Sequence, residues 1–400
     1  MLEIKNKSIL VINAGSSSIK FSVFVVHEAK LALLYHGEID SVLHSPIFEV
    51  FDAHKVQVHN ATLSSSDHQG ALNELLTWVN DTLAADGGKL IGIGHRIVHG
   101  GKKYSTPVLI DKGILEDLET LKPLAPIHEP YNLLAIEKFA SLSPKLPQVA
   151  CFDTGFHTTQ EKIAQATGLP QEYEHRGIIK YGFHGLSYEY ITTILPEYIG
   201  NKASGKIVVM HLGNGSSMCA INNKKSVAST MGFSTIDGLM MGTRTGRLDP
   251  GIVLYLLQEE KMKVDDVVNL LYKKSGLIGV SGISNDVREL LNSDKESAQY
   301  ALELYCYKAS YELGGLMSTL NGADTLVFTG GIGENAHLIR YNICKKFEWL
   351  GLQIDEQANK NNQTIISTIA SSIDVLVIPT NEEKMIAQHT VDILRARGLG

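Results

Sequence analysis

Apolar residues along this chain fall into short strand-like runs, separated by segments of helical period. Ser8–Asn13 (SILVIN) is the first run. It stops at Ala14-Gly15-Ser16-Ser17-Ser18, and Ile19–Val26 (IKFSVFVV) resumes with β-branched and aromatic residues. Two such runs around a small-residue turn predict a hairpin. Ala71–Leu83 carries Leu72, Leu75, Leu76, Val79 and Leu83 at helical spacing and predicts a helix. Leu90–Val98 and Val149–Asp153 read as strands. Lys206–His211 leads through Leu212-Gly213-Asn214-Gly215 to a further strand, Met218–Asn222. Thr325–Thr329 runs into Gly330-Gly331-Ile332-Gly333-Glu334-Asn335, read as a turn, with a helix from Ala336. Asp374–Ile378 predicts a strand stopped by Pro379. Thr380 and Asn381 are cap candidates for a helix from Glu382 toward Arg395. The fold class is therefore α/β. Gly15-Ser16-Ser17 and Gly215-Ser216-Ser217 stand half a chain apart in the same strand–turn–strand setting. Duplication would leave such a match, and so would two unrelated hairpins.

Composition narrows the function classes. The chain has 400 residues, room for two or three domains of about 150. Its net charge of −7 gives no general attraction to nucleic acid or anionic lipid. A hydrophobic share of 44% with 20% charged residues suits a folded globular chain and not a disordered one. Cys151, Cys219, Cys306 and Cys344 form no CxxC pair, which removes support for a zinc or thioredoxin-like site and suits a reducing cytosol. No apolar run approaches the ~18 residues of a membrane span, and the first residues lack a signal-peptide core. A soluble cytoplasmic protein without a membrane or nucleic-acid partner is expected. With 11 prolines and no low-complexity linker, the domains are expected to pack around a cleft.

Four turns join Gly or Ser to strand ends: Asn13–Ser18, His211–Ser217, Thr329–Asn335 and Met241–Gly246. Glycine lets backbone approach a ligand, and N–H groups exposed at such turns bind phosphate oxygens. Four in one α/β chain favour nucleotide binding. There is no GxxxxGK[ST] P-loop and no GxGxxG fingerprint, which demotes a P-loop NTPase and a dinucleotide-dependent dehydrogenase. Arg96 follows Gly94-His95, and Arg244 lies within Gly242-Thr243-Arg244-Thr245-Gly246. Each guanidinium suits a carboxylate or phosphate, and each also suits a plain surface charge. Asp153 and Glu382 follow strand-like runs, where they serve either Mg²⁺ or a helix N-terminus. His184, between Phe183 and Gly185, is either a donor to an anionic oxygen or a half-buried ring satisfied by backbone. HExxH and GxSxG are both absent.

Taken together, VINAGSSSIKF, GHRIVHGG, LAPIHEP, CFDTGFH, KYGFHGLS, HLGNGSS, GLMMGTRTG, LDPG, FTGGIGEN and IPTNEE resemble the acetate kinase family of acyl-phosphate-forming kinases. The blocks run in family order from Val11 to Glu383. The resemblance implies a duplicated actin-like (ribonuclease H-like) two-domain fold with an interdomain cleft. It divides the chain into 1–150 plus about 384–400, and 151–383, the second carrying most of the nucleotide site. It implies reversible phosphorylation of acetate to acetyl phosphate by in-line transfer from ATP, giving ADP, in a homodimer. Mg²⁺ is the implied metal, with Mn²⁺ able to substitute. Propionate or another short acid is the alternative acceptor on the same fold.

The same resemblance assigns roles by position. Asn13 and Glu382 look like the metal positions. Arg96 looks like the ligand of the acceptor carboxylate, with Val98, Ile127, Phe183 and Thr235 around the acyl group. Lys20, His211, Leu212, Gly213, Asn214, Gly215, Asp286, Val287, Arg288, Gly331, Ile332, Gly333, Glu334 and Asn335 look like nucleotide-binding positions. Asp153 matches the active-site acid, and His184 and Arg244 the two transition-state stabilisers. Acetate is already ionised at neutral pH, so Asp153 is expected to orient substrate or the metal shell and not to act as a base. The chain departs from the usual pattern at Thr235 (Pro), Glu129 (Asn), Tyr188 (His) and Arg247 (Asp). Thr235 leaves the preferred acyl length open, because one methylene in an apolar pocket discriminates by only ~1–3 kcal/mol.

Overall fold

The computed structural model describes residues 6–27, 30–126 and 128–399. The chain divides into two compact units, residues 1–155 with 381–400, and residues 156–380.

The first unit is built on strands β1 (Asn6–Ala14), β2 (Ile19–His27), β3 (Lys30–Asp40), β4 (Ile47–Asp52), β5 (Gln57–Thr62), β6 (Gly88–Ile97), β7 (Val108–Leu109) and β8 (Gln148–Phe152). They form one sheet in the order β5-β4-β3-β2-β1-β6-β8-β7. Ile9, Leu10, Val11 and Ile12 are all buried, so both faces of β1 are covered; this is why SILVIN reads as a continuous apolar run and not an alternating one. Helix α1 (His68–Ala85) lays Leu72, Leu75, Leu76, Val79 and Leu83 into a core shared with Leu10, Ile12, Phe21 and Ile93. Asp67 caps it by accepting from Gly70 N at 2.7 Å. Helix α2 (Glu129–Leu142) adds Ala135 and Phe139 to the same core.

The second unit carries β9 (Lys206–Leu212), β10 (Ser216–Asn222), β11 (Lys225–Ser229), β12 (Thr325–Thr329) and β13 (Asp374–Val377), in the order β11-β10-β9-β12-β13. Its helices include α3 (Gly185–Ile199), α4 (Pro250–Gln258), α5 (Val264–Lys273), α6 (Gly276–Ser281), α7 (Val287–Leu291), α8 (Glu296–Thr319), α9 (Gly330–Asn335) and α10 (His337–Lys345). The chain then returns to the first unit as α11 (Glu382–Ala396). Gly92 and Gly94 let α11 lie close on β6. A Cβ at Gly94 would stand 2.4 Å from Thr390 Oγ1 and 2.6 Å from Ile386 Cγ2.

The duplication is visible in the pairing. In the run β3-β2-β1-β6-β8 the neighbours are antiparallel, antiparallel, parallel and parallel. The run β11-β10-β9-β12-β13 repeats that sequence of senses. This is the two-domain actin-like fold. The two Gly-Ser turns correspond in setting but not residue by residue. Ala14 pairs with Ile19 and leaves Gly15–Ser18 as the loop, whereas Leu212 pairs with Ser216, so Ser216 and Ser217 lie inside β10.

One expectation is corrected. Gly330–Asn335 is a helix and not a turn. Gly330, at φ +76°, leaves the strand in the left-handed region, and its N–H is capped at 2.9 Å by Glu334 Oε1.

Candidate active site

Two groups of side chains gather at the strand ends, one in each unit. In the first, Arg96 sits near the end of β6 and is the hub. Its Nε and Nη2 donate to the two oxygens of Asp153 at 3.1 and 2.5 Å, a bidentate fork. Its Nη1 donates to Asn13 Oδ1 at 3.3 Å, and Glu382 Oε2 lies 3.7 Å from Nε. β1 supplies Asn13, the residue after β8 supplies Asp153, and the first turn of α11 supplies Glu382. The Asn381 side chain caps α11 by accepting from Lys384 N at 2.8 Å.

The electrostatics are unbalanced. Burial alone would lower the Arg96 pKa, but Asp153 and Glu382 hold it above its ordinary value. Two carboxylates, the buried Asp153 and the half-buried Glu382, share one guanidinium. Burial pushes Glu382 above the ordinary carboxylate range; Arg96 opposes the rise, and Asp153 and Glu383 add to it. A site of hard oxygen donors short of positive charge fits Mg²⁺, which uses one or two carboxylates alongside water and phosphate. Among the described residues no three His, Cys, Asp or Glu side chains stand together as a metal cage.

Behind this hub, Asn132 on α2 ties two strand ends together. Its Oδ1 accepts from Val98 N at 3.1 Å and its Nδ2 donates to Ala14 O at 2.7 Å. Glu129, fully buried at the start of α2, accepts from His99 N at 3.2 Å through Oε2, while Oε1 has no hydrogen-bond partner. Burial pushes this carboxyl up to about 8, against the His99 bond and with a contribution from the charge of Asp153. Val98 is buried, and Ile127 lies outside the described residues. Lys20, paired in register with Asn13, is exposed and 4.0 Å from Glu38.

In the second unit, His184, His211, Gly215 and Arg244 come together. The imidazoles of His184 and His211 stack with centroids 4.3 Å apart and planes 18° apart. A Cβ built on Gly215 would lie 3.4 Å from His184 Nε2 and 3.9 Å from Arg244 Nη1, ordinary contact distances, so both groups border this glycine side by side. Arg244 Nη1 donates to Thr235 O at 3.0 Å, which joins the guanidinium to the position expected at the acyl pocket. Phe183 is buried and its carbonyl accepts from His157 Nε2 at 2.9 Å.

The remaining expected positions contribute mostly backbone. Leu212 is in the core, Gly213 N donates to Ser216 Oγ at 3.2 Å, and Asn214 Oδ1 accepts from Asn285 Nδ2 at 3.3 Å. Asp286 caps α7 through Arg288 N at 2.7 Å and pairs with the exposed Arg288 guanidinium; Val287 is buried. In α9, Asn335 Nδ2 donates to Gly331 O at 2.9 Å, Ile332 is half-buried and Gly333 O accepts from the buried Arg340 at 2.8 Å. No motif in the sequence singles out Asn132, Ser187 or Arg340; Ser217 reads there as part of a turn, and Tyr188 only as a departure from a pattern. The available signal for Ser187 and Tyr188 was their spacing of three and four residues from His184, one turn along a helix.

Comparison with known proteins places the chain in a family. The acetokinase family model matches residues 8–388. An acetate kinase of Rhodopseudomonas palustris is 46% identical over 387 residues, covering 95% of this chain and 97% of its own. An acetate kinase of Rickettsia felis is 42% identical, covering 96% and 99%. Among solved structures, a propionate kinase from Francisella tularensis superposes with a TM-score of 0.90 at 36% identity, covering 97% of this chain and 100% of its own. Porphyromonas gingivalis acetate kinase gives 0.87 at 33%, with the same coverage. With its fold and nearly its whole length matched, the chain belongs to the acetokinase family.

Proposed function

We propose that this chain is a phosphotransferase that moves the γ-phosphoryl group of ATP to acetate, reversibly, giving acetyl phosphate and ADP. The observation that carries the reading is the convergence of His184 and Arg244 on Gly215 in a chain matched over 95% of its length by an acetate kinase. The difficulty of this reaction is bringing one anion to another, because acetate needs no deprotonation. Catalysis then rests on positioning and on donors aimed at the equatorial oxygens.

Arg244 and His184 are suited to that donor role, and Arg96 to the acceptor carboxylate. Asp153 is engaged through both oxygens by Arg96, which supports an orienting role for it over a general base. Asn13 and Glu382 would hold Mg²⁺, which when bound neutralises phosphate charge. The residues 211–215, 286–288 and 331–335, with Lys20, are read as the nucleotide site.

Two substitutions test the roles. Arg244→Ala is expected to lower kcat on the order of 10²- to 10³-fold with little change in KM for ATP, the cost of one transition-state donor. Asp153→Asn is expected to lower kcat and alter the Mg²⁺ dependence together; loss of only one limb of the pH–rate profile would restore the base role.

Thr235 in place of the usual proline leaves the acyl length open, so the second acceptor reading is a propionate or other short-chain acyl kinase. Trapping product with hydroxylamine in the presence of acetate, propionate or butyrate separates these by kcat/KM. The absence of any acid-dependent hydroxamate would remove the acyl kinase reading altogether. The partners of this reading are small molecules and a second copy of the chain. No helix among the described residues is long and apolar enough to cross a membrane.

A further inference from the structure

His184 is held in an unusual way. Its backbone is in the left-handed region at φ +57°, a strained conformation for a residue with a side chain, directly before α3. The strain delivers the ring edge-on to two different surroundings. On one edge, Nδ1 lies 2.8 Å from Ser217 Oγ. Ser217 Oγ is in turn hydrogen-bonded to Tyr188 Oη, and both Ser217 and Tyr188 are fully buried. The other edge, Nε2, faces Gly215 beside Arg244. The stacked partner is held alike, with His211 Nδ1 2.8 Å from Ser187 Oγ and Ser187 Oγ 2.8 Å from Thr380 Oγ1.

We propose that Tyr188 and Ser217 are positioning residues that fix the proton of His184 on Nε2, so that the ring presents an N–H to the phosphoryl group. The argument is a count of protons along Tyr188–Ser217–His184. Each hydroxyl has one proton to give. A phenol, with a pKa of about 10, is a stronger donor and weaker acceptor than a serine hydroxyl, so Tyr188 donates to Ser217. Ser217 then gives its own proton to His184 Nδ1, which becomes an acceptor. In a neutral imidazole the remaining proton is on the other nitrogen. The opposite direction of the chain would turn a lone pair toward the anion and repel it.

Position 188 is where the family resemblance expects histidine. A neutral imidazole there has one donor and one acceptor nitrogen and leaves the direction undecided. The phenol decides it. The inference rests on reading His184 as a phosphoryl contact, but the tautomer itself is measurable without any reaction.

The test uses the full chain with ¹⁵N-labelled histidine and two-bond ¹H–¹⁵N correlation spectra, the His184 signals being identified by their loss in His184→Gln. The expected result is a single Nε2–H tautomer in the unaltered chain. Tyr188→Phe, which keeps the ring volume, is expected to give a mixture of tautomers and a kcat lower by about tenfold, with KM for ATP changed less than about twofold. Ser217→Ala should do the same, and Tyr188→His should fall between. An Nδ1–H tautomer in the unaltered chain overturns the proposal, as does an unchanged tautomer in both Tyr188→Phe and Ser217→Ala. If the spectra follow expectation while His184→Gln keeps full kcat, the relay stands and it is the phosphoryl role of His184 that fails.

Discussion

Burial decides what several single residues can do. Glu129 is a carboxyl in the core with one oxygen unpartnered, where the family pattern expects the uncharged asparagine. Its ordinary value is 4.5 and burial raises it to about 8. Between those values the native chain binds the proton and the unfolded chain does not, so this group makes stability fall as pH rises through the window. Glu129→Gln keeps the shape and removes the ionisation. It is expected to match the unaltered chain near pH 4.5 and to be more stable by about 2–4 kcal/mol at pH 8, from urea unfolding at a series of pH values. Parallel curves for the two proteins would show that Glu129 is not neutral in the fold. Nothing in LAPIHEP distinguishes a buried acid from an exposed one. Burial here is a product of the packing of α2 against residues about thirty positions earlier, which periodicity does not report. Arg96, Asp153, His184 and Arg244 were legible as isolated candidates from their glycine-flanked or strand-end settings. That Arg96 would grip Asp153 through both oxygens was not.

Elements hold these residues in place. The loop that carries Arg244 is pinned by the start of α6: Ser275 N donates to Thr243 O at 3.0 Å, Leu277 N to Met241 O at 2.9 Å and Ile278 N to Gly242 O at 3.0 Å. The packing is possible because residue 276 is glycine. It has φ +66°, and a Cβ there would stand 2.2 Å from Met241 O and 2.9 Å from both Arg244 N and O. Gly276→Ala therefore forces the Arg244 backbone to move and adds left-handed strain of roughly 1–3 kcal/mol. A lowered Tm together with a fall in kcat of more than about tenfold is expected, from thermal melts and steady-state rates. If kcat were unchanged in a destabilised protein, the loop would not be what positions Arg244. Strands were the more legible elements, since apolar runs such as SILVIN, KIVVMH and TLVFT sit at sheet centres and bury both faces. Helix α9 is not legible in the sequence because its glycines read as loop, and its first N–H is satisfied by Glu334, a side chain toward its own far end.

At the scale of the whole molecule, one surface asks for a partner. Helix α4, PGIVLYLLQ, is apolar along its length, yet none of its residues is buried. Ile252, Leu254 and Tyr255 are exposed, as are Val264 and Val268 on the adjoining α5. Tyr300, Tyr307 and Tyr311 are exposed at helical spacing on α8. Scattered apolar residues on a surface need no explanation, but a helix apolar along its length, with Val253, Leu256 and Leu257 only half-buried and the rest exposed, does. These residues support the homodimer that the family resemblance implies, with α4 at the contact. In a two-fold pair the same patch serves both copies, so one substitution per chain enters the interface twice. Leu254→Glu then introduces two charges into one apolar contact. Light scattering behind gel filtration is expected to give twice the 43.7 kDa chain mass for the unaltered protein and the single chain mass for Leu254→Glu at micromolar concentration. The substitution removes no buried side chain from the folded monomer, since Leu254 is 53% exposed, so the melting temperature of the isolated chain should change little while the concentration dependence of melting disappears. A dimer that survives Leu254→Glu, Tyr255→Glu and Tyr307→Glu alike would place the contact elsewhere and leave the exposure of α4 without a cause.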